Sequence, residues 1–286
     1  MLITLKGVRH YFCGLGRAGN DDWNLIEENG AKFILLSYWD LRRDKTDSWR
    51  QKLIDHGLSV LIDSGEFSRF QAERDGIPYE PLLVEDYAAW LWKHQDLIVG
   101  ALSLDKIGDA ETSERNYRYL VDQGLQPIPV WHCQSSWESL EAMVRQDHPI
   151  IAIGGTKFIK RAERHQMFSE LFRRYPTQPF HGLGVASPYI AMYDWFSVDS
   201  SSWLAGRQFG RLVTPFRQYV SPDDWTSEEA LAFNIRQLAS MEDNYEGIYQ
   251  VDLLAQPGTR HKGAGRAKKR EKDNQLSLFD LMDLVG

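Results

Sequence analysis

The chain has 286 residues, of which 43% are hydrophobic, and a formal net charge of -7. This length suffices for one sizeable core, which one large α/β barrel fills as well as two small domains. A mean hydropathy of -0.44, the lack of a run of about 18 apolar residues and the absence of a signal-peptide pattern argue against membrane association. Cys13 and Cys133 are too few for a disulfide framework or a structural zinc site. We therefore expect a reduced, cytoplasmic protein.

Short apolar runs alternate along the chain with segments of helical pattern. The runs typical of strands are 32–38, 58–63, 97–105, 127–132, 150–154, 180–185 and 195–199, and a further strand is expected near the N-terminus. The helical segments between them are 46–56, 84–93, 111–123, 136–145 and 160–174. This alternation predicts a parallel sheet with crossover helices, and the strand count suits an eight-stranded (β/α)8 TIM-like barrel. An open doubly wound sheet is the competing fold, but the sequence has no Gly-x-Gly-x-x-Gly turn or phosphate loop.

The last part of the chain differs from the rest. A helix is predicted over 227–241, with Thr226 or Ser227 as its cap. Residues 260–286 carry a net charge of +3, which leaves -10 for the rest. We expect residues 1–255 to form the barrel, residues 256–274 a disordered basic linker, and residues 275–286 a separate peptide.

Polar residues follow the predicted strands at a consistent place, their carboxyl ends. These residues are Asp63, Asp105, His132, Gly154, Gly155, Gly184 and Asp199. In barrels this end of the strands carries the active site, although a single aspartate there can also be a helix cap. The pattern favours a site.

Asp63 and Asp199 suggest the chemistry. One carboxylate can bond to, or stabilise, an anomeric carbon that develops oxocarbenium charge, while the other supplies the proton for the leaving group. From spacing alone, the alternative that both residues cap turns stays open.

Five short elements resemble those of the tRNA-guanine transglycosylases, in the family's order. Asp-Ser-Gly-Glu-Phe (63–67) resembles the family's Asp-Ser-Gly-Gly-Phe, and Ile-Ala-Ile-Gly-Gly (151–155) its Ala-Ile-Gly-Gly. His-Gly-Leu-Gly-Val-Ala-Ser-Pro (181–188) is similar to its His-x-x-Gly-x-Gly-x-Pro, and Leu-Ser-Leu-Asp (102–105) ends where the family has an aspartate that contacts guanine. Val-Asp-Ser-Ser-Ser-Trp (198–203) resembles the archaeal-type Phe-Asp-Ser-Ala-Ser-Tyr. The resemblance covers about residues 31–210.

The resemblance implies a role for each matching residue. Asp199 would be the nucleophile that forms a covalent glycosyl-enzyme, Asp63 the general acid/base, and Asp105 the acceptor for the guanine N1 and N2 groups. The other implied substrate contacts are Gly154, Gly155, Ser64, Gly65 and Gln134, with His132 either a contact or a packing residue. No cofactor is implied.

The chain also departs from the family. Glu66 stands where the family has glycine, which places a charge beside the expected pocket, and the family's Cys/His zinc site is missing. Because that zinc subdomain helps to dock tRNA, we expect a different polynucleotide. DNA fits best, with exchange of guanine for a 7-deazaguanine base as in the DNA branch of the superfamily. A tRNA enzyme without zinc and a catalytically inactive barrel stay as alternatives.

The C-terminal peptide suggests a protein partner. Gln275, Leu276, Leu278 and Phe279 resemble the Gln-Leu-x-Leu-Phe motif that binds the bacterial sliding clamp, in which apolar anchors fill a cleft. A helix folded back on the barrel is the alternative. The candidate phosphate contacts are Lys157, Lys160, Arg161, Arg164, Arg207 and Arg211, although such charges often belong to solvated helix faces.

Overall fold

The structure is a computed structural model that describes residues 2–4, 7–15, 20–241 and 248–250. Its strands are β1 (Leu2–Thr4), β2 (Arg9–Phe12), β3 (Phe33–Ser37), β4 (Ser59–Asp63), β5 (Ile98–Ala101), β6 (Val130–His132), β7 (Ile151–Gly154), β8 (Phe180–Gly182), β9 (Ser197–Ser200), β10 (Arg211–Val213), β11 (Gln218–Val220) and β12 (Ile248–Gln250). Its α-helices are α1 (Asn20–Glu28), α2 (Tyr38–Leu41), α3 (Ser48–His56), α4 (Glu66–Arg74), α5 (Val84–His94), α6 (Ala110–Asp122), α7 (Trp137–Arg145), α8 (Arg161–Arg174), α9 (Tyr189–Met192), α10 (Ala205–Phe209) and α11 (Ser227–Ala239).

The main sheet is a closed ring of parallel strands. Its eight strands lie in the order β5-β4-β3-β2-β9-β8-β7-β6. The two outer strands meet through a parallel bridge between Leu102 and Ile128. Two backbone hydrogen bonds of 2.8 Å make this junction, from Ser103 N to Ile128 O and from Ile128 N to Ala101 O. The predicted (β/α)8 TIM-like barrel is thereby confirmed.

Side chains that alternate along the strands divide the apolar residues between the inside of the barrel and the layer between the sheet and the helices. Tyr11, Leu35 and Leu61 form one buried cluster, and Leu102, Val130 and Ala152 another. Their sequence neighbours belong instead to the large core that packs the helices against the sheet, which includes Phe12, Ile34, Leu36, Val60, Ile62, Ile151, Ile153 and Val198. Because successive strand residues point to opposite faces, the two small clusters fill the barrel and the large one surrounds it.

The predicted elements are present with adjusted ends. The strand expected over 97–105 is regular only over Ile98–Ala101, so Asp105 lies in the loop that follows. The N-terminal strand of the barrel is β2. Helix α11 begins with Thr226 as its cap, and the Thr226–Glu229 capping box satisfies its first backbone amides.

Some elements were not predicted from the sequence. They are the four helices α1, α4, α9 and α10, the short α2, and the antiparallel hairpin of β10 and β11. Strands β1 and β12 pair antiparallel. The predicted linker 256–274 and peptide 275–286 lie outside the described residues. Among the described residues, no helix is long and apolar enough to cross a membrane.

Candidate active site

The carboxyl ends of the barrel strands surround a cavity of about 750 Å³. Asp63, Asp105, His132, Gly154 and Asp199 all line it, as do other strand-end residues, which include Cys13, Ser37, Gly155 and Gly184. A parallel barrel brings these positions together although they are far apart in sequence. The residues that the motifs singled out as a nucleophile and an acid/base therefore share one cavity.

Asp199 is a buried carboxylate held by several donors. It lies on β9 and is 7% exposed. Its Oδ1 accepts from the Gly184 amide at 3.1 Å and lies 3.3 Å from His181 Nε2, and its Oδ2 accepts from Cys13 Sγ at 3.0 Å. Burial by itself raises the pKa of Asp199, but His181, the thiol and the amide outweigh it and leave the pKa below its usual value. Asp199 is therefore ionised at neutral pH.

Asp63 has the opposite electrostatic environment. It ends β4, where its Oδ2 accepts from the Gly65 amide at 3.0 Å and from Ser37 Oγ at 3.3 Å. Burial, together with the negative charges of Asp105 and Asp199, raises its pKa to about 7. The two hydrogen bonds oppose this rise without cancelling it. Asp63 can therefore hold or release a proton near neutral pH.

Asp105 is bonded to two neighbours. It is 8% exposed, its Oδ2 lies 2.7 Å from His132 Nε2, and its Oδ1 accepts from Ser64 Oγ at 3.3 Å. His132 ends β6, so this pair spans the junction where the barrel closes. His132 thus lines the cavity and contacts the Asp105 carboxylate. Ser64 is not a lining residue of the cavity; it donates to Asp105, which is.

The Asp-Ser-Gly turn needs a glycine for space. Gly65 has φ +86°, and a Cβ there would lie 2.4 Å from Trp39 Cβ and 2.9 Å from the Trp39 backbone nitrogen. A side chain at this position is excluded both by conformation and by the close approach of α2. The turn fixes the Gly65 amide where it donates to Asp63, so Gly65 supports the position of the Asp63 carboxyl group.

Glu66 is not a free charge beside the cavity. It is 3% exposed, and Arg69 donates to both of its carboxylate oxygens, at 2.5 and 2.7 Å. The Ile107 amide donates to Oε1 at 2.9 Å, which ties α4 to the loop that carries Asp105. Glu66 thus lines the cavity as expected, and its carboxylate is paired with Arg69.

Gln134 also departs from its predicted role. Its amide donates to the Gly155 carbonyl at 2.7 Å, and it lines a neighbouring cleft between α6 and α7 rather than the central cavity. A Cβ on Gly155, which has φ +75°, would lie 2.2 Å from Gln134 Oε1. In this structure Gln134 supports the Gly-Gly turn, and its side chain is not part of the lining of the central cavity.

Two of the predicted phosphate contacts are exposed cations at or near the cavity. Lys157 is exposed, lines the cavity and lies with Nζ 4.6 Å from the centre of the Phe67 ring. Lys160 is exposed directly before α8. Arg161, at the start of α8, is half-buried.

The other predicted phosphate contacts are engaged within the protein or partly covered. Arg164 is 8% exposed and donates to the carbonyls of Thr156 and Ile159, so its prediction as a phosphate contact is wrong. Arg207 forms a two-point ion pair with Asp22, with Nη2 and Oδ1 2.6 Å apart. Arg211 is half-buried at the start of β10.

Several residues of the site, Ser37 among them, had no role predicted from the sequence. Cys13 and His181 contact Asp199 as described, and Arg43 adds an exposed cation to the cavity lining. The motif that contains His181 was visible, but neither its spacing nor that of Cys13 indicates which carboxylate each one meets. Trp131, Trp195 and Trp203 are buried core residues.

Within the described part of the chain, no group of three or more His, Cys, Asp and Glu residues is arranged to hold a metal ion. No protein-family model matches the chain, and no curated protein matches it.

Several solved structures have a similar course of the chain. A mutant tryptophan synthase α-subunit from Pyrococcus furiosus has a TM-score of 0.47 and 12% identity, over 84% of this chain and 100% of that one. A tryptophan synthase chain from M. tuberculosis has a TM-score of 0.45 and 16% identity, over 83% and 93%. A protein from Aquifex aeolicus VF5 has a TM-score of 0.46 and 12% identity, over 82% and 93%. Similarity at this level does not bear on activity.

Proposed function

We propose that the protein is a base-exchanging transglycosylase that replaces guanine in DNA with a 7-deazaguanine base. The observation that carries the proposal is the pairing of Asp199 and Asp63. Both line one cavity at the carboxyl ends of the barrel strands, and their surroundings move their pKa values in opposite directions. Carboxyl groups whose pKa values are separated in this way can divide the roles of nucleophile and proton carrier.

Asp199 supplies the nucleophile. In the first step, one of its oxygens bonds to C1′ of the deoxyribose as the bond from C1′ to the base breaks, and the electron pair of that bond leaves with the base. A carboxylate whose pKa lies below its usual value is fully ionised for this attack. The second step reverses the first: the incoming base attacks C1′ and Asp199 leaves as carboxylate.

Asp63 balances the protons. With a pKa of about 7 it is present in both protonation states near neutral pH. The protonated form gives its proton to the departing base, and the resulting carboxylate accepts a proton from the incoming base. An acid/base catalyst is most effective when its pKa lies near the working pH.

Asp105 suits recognition of a guanine-like edge. The N1–H and N2–H groups of guanine are donors, and Asp105 offers two acceptor oxygens at the cavity surface. Its link to His132 Nε2 at 2.7 Å holds the carboxylate in one orientation. The 7-deazaguanines keep this edge, so outgoing and incoming bases can use the same contacts.

The basic linker and terminal peptide of the sequence favour DNA as the polynucleotide. Lys157, Lys160 and Arg43 are exposed cations at or near the cavity, and they suit phosphate groups of the strand around an extruded nucleotide. On this hypothesis the sliding clamp is the protein partner, and the protein acts in the cytoplasm.

The test is incorporation of a labelled 7-deazaguanine base into nucleic acid by the purified protein. Single-stranded DNA, duplex DNA and tRNA are offered in separate reactions, and the nucleosides are measured by mass spectrometry after digestion. We expect label in DNA, loss of that label in Asp199→Asn and Asp63→Asn, and no loss in the exposed control Asp122→Asn.

The outcomes separate the alternatives. Label in tRNA and not in DNA overturns the choice of DNA and keeps the chemistry. Absence of exchange on every nucleic acid overturns the enzyme proposal in favour of an inactive barrel. An acid-quenched DNA adduct on the wild type that persists in Asp199→Asn refutes Asp199 as the nucleophile.

A further inference from the structure

The two oxygens of the Asp199 carboxylate are held by donors of different strength. Oδ1 accepts a hydrogen bond from the Gly184 amide at 3.1 Å and lies in ion-pair contact, at 3.3 Å, with His181 Nε2. Oδ2 faces the Cys13 thiol at 3.0 Å. An S–H group is a weak donor, so Oδ2 can be released at less cost than Oδ1.

His181 is fixed from its other side. Its ring is fully buried, and Nδ1 lies 2.8 Å from Ser197 Oγ, on the strand residue paired with it in register. The Tyr11 ring meets the His181 ring edge to face, with 5.7 Å between centroids. Ser197 and Asp199 lie two residues apart on β9, so both point into the barrel and the imidazole spans from one to the other.

The hydrogen-bond arrangement has one favourable assignment. A ring nitrogen that faces a buried carboxylate oxygen must carry a hydrogen, because two lone pairs would repel each other. His181 Nε2–H therefore points toward Oδ1, and the Ser197 hydroxyl serves Nδ1. Metal-binding histidines are oriented in a similar way, since one ring nitrogen binds the metal and the other donates to a carboxylate. Here the Ser197 hydroxyl takes the place of the metal.

We infer that His181 is a positioning residue that, with the Gly184 amide, fixes Oδ1 of Asp199, so that Oδ2 is the oxygen that bonds to the sugar. This inference rests on the proposed function. As Oδ2 bonds to C1′ and the base departs with the electron pair and a proton from Asp63, Oδ1 becomes the carbonyl oxygen of the ester. That oxygen keeps its two N–H donors, while the Cys13 thiol turns away from Oδ2.

The charged and titratable groups around Asp199 give the sign of the pH effect. The Cys13 thiol, directly after β2, and His181, on β8, contact the Asp199 carboxylate. His10, on β2, and Asp63, at the end of β4, interact with it through their charges. Loss of the His181 donor removes an interaction that favours the carboxylate. The pKa of Asp199 must then rise, and the acid limb of the rate profile moves to higher pH.

The experiment compares His181→Leu, His181→Gln and Ser197→Ala with the wild type. We expect His181→Leu to lower kcat by about 10- to 100-fold, the size typical of losing an orienting partner, with little change in KM for the base. Its acid limb should move to higher pH. Glutamine, whose amide reaches about as far as Nε2, should restore much of kcat and return the acid limb, and Ser197→Ala should show a smaller shift in the same direction.

The matched control is His94→Gln. His94 is also a fully buried histidine, but it lies at the end of α5, where its Nδ1 contacts Arg50 Nη1 and its ring packs on Trp90. We expect no displacement of the acid limb for this variant. An acid limb in His181→Leu that coincides with that of the wild type overturns the inference.

A direct titration separates this inference from the proposed function. The carboxyl carbon of Asp199, assigned by its loss in Asp199→Asn, is followed by ¹³C NMR in the wild type, His181→Leu, His181→Gln and Ser197→Ala. A raised pKa of Asp199 in Ser197→Ala supports the positioning role even if no exchange occurs. An unchanged pKa in Ser197→Ala, together with an unchanged pKa in His181→Leu, refutes it, and if His181→Leu fails to fold, Ser197→Ala decides alone.

Discussion

Replacing Asp63 with asparagine should change how the stability of the protein depends on pH. The pKa of Asp63 is raised from 3.8 to about 7, chiefly by burial and then by Asp105 and Asp199. Between these two pH values the folded state binds more protons than the unfolded state, so the free energy of unfolding falls as pH rises. Below the lower value, and well above the higher one, this residue adds no further slope.

The size of the effect follows from the same shift. At about 1.4 kcal/mol per pKa unit, the wild type should lose about 2 kcal/mol between pH 5 and pH 7 through this one residue, and little more above pH 8. The asparagine side chain of the Asp63→Asn variant does not ionise, and its carbonyl oxygen can still accept from Gly65 and Ser37. The difference in stability between variant and wild type should therefore move in favour of the variant by about 2 kcal/mol over that range.

The assay is urea unfolding of both proteins at pH 5, 6, 7 and 8. The exposed control Asp122→Asn should follow the wild type in parallel at every pH. A constant difference between Asp63→Asn and the wild type across this range would show that Asp63 ionises normally, and the assignment of Asp63 as proton carrier would lose its physical basis.

Three further predictions concern the surroundings of the site and the tail. Gly65→Ala should destabilise the protein by more than about 2 kcal/mol, because the new Cβ has both a left-handed backbone and a clash to accommodate, as thermal unfolding will measure. Glu66→Gln should cost about 3 kcal/mol because it breaks a buried ion pair with Arg69, whereas Glu73→Gln, at an exposed partner of the same Arg69, should cost under about 1 kcal/mol in urea unfolding. Deletion of residues 275–286 should abolish binding to a bacterial sliding clamp in surface plasmon resonance and leave base exchange on short oligonucleotides unchanged.

Each of these predictions has its own control. Gly57 has φ +59° with open space around it, so Gly57→Ala should show the conformational cost alone, about 1 kcal/mol. Equal losses at Gly57 and Gly65 would contradict the clash with Trp39. Equal costs for Glu66→Gln and Glu73→Gln would argue that burial of the ion pair is unimportant. Clamp affinity that survives removal of the terminal peptide would refute the partner assignment.

The fold was largely predictable because its signals are local. Apolar runs such as 58–63 and 150–154 are long enough to identify strands, and each polar residue after a run identifies a strand end. Helix α4 was not predicted because Glu66, Arg69 and Glu73, which form ion pairs with one another, make its sequence polar and leave no clear apolar period. The cap of α11 was visible because Thr226 and Glu229 form a capping box within four residues.

The site was predictable in its members and not in its contacts. Asp63, Asp105 and Asp199 all line the cavity, as strand-end positions of one barrel must. The partners of these carboxylates are distant in sequence. Cys13 lies 186 residues from Asp199, and His132 lies 27 residues from Asp105. Such pairings depend on strand order and on side-chain rotamers, and no residue spacing encodes them. Gln134 and Arg164 failed for the same reason, since each side chain turns to a nearby backbone carbonyl.

The closure of the barrel has a consequence for how the site responds to its ligand. β5 and β6 meet through two backbone hydrogen bonds at Ile128, and the Asp105–His132 contact spans the same junction on the cavity side. A base that donates hydrogen bonds to Asp105 would bind the same carboxylate that contacts His132 across this junction. We therefore expect binding of a base to change how readily this junction opens. The Ile128 amide, which donates to Ala101 across the junction, would report that opening. We expect its hydrogen exchange to slow when a base fills the cavity.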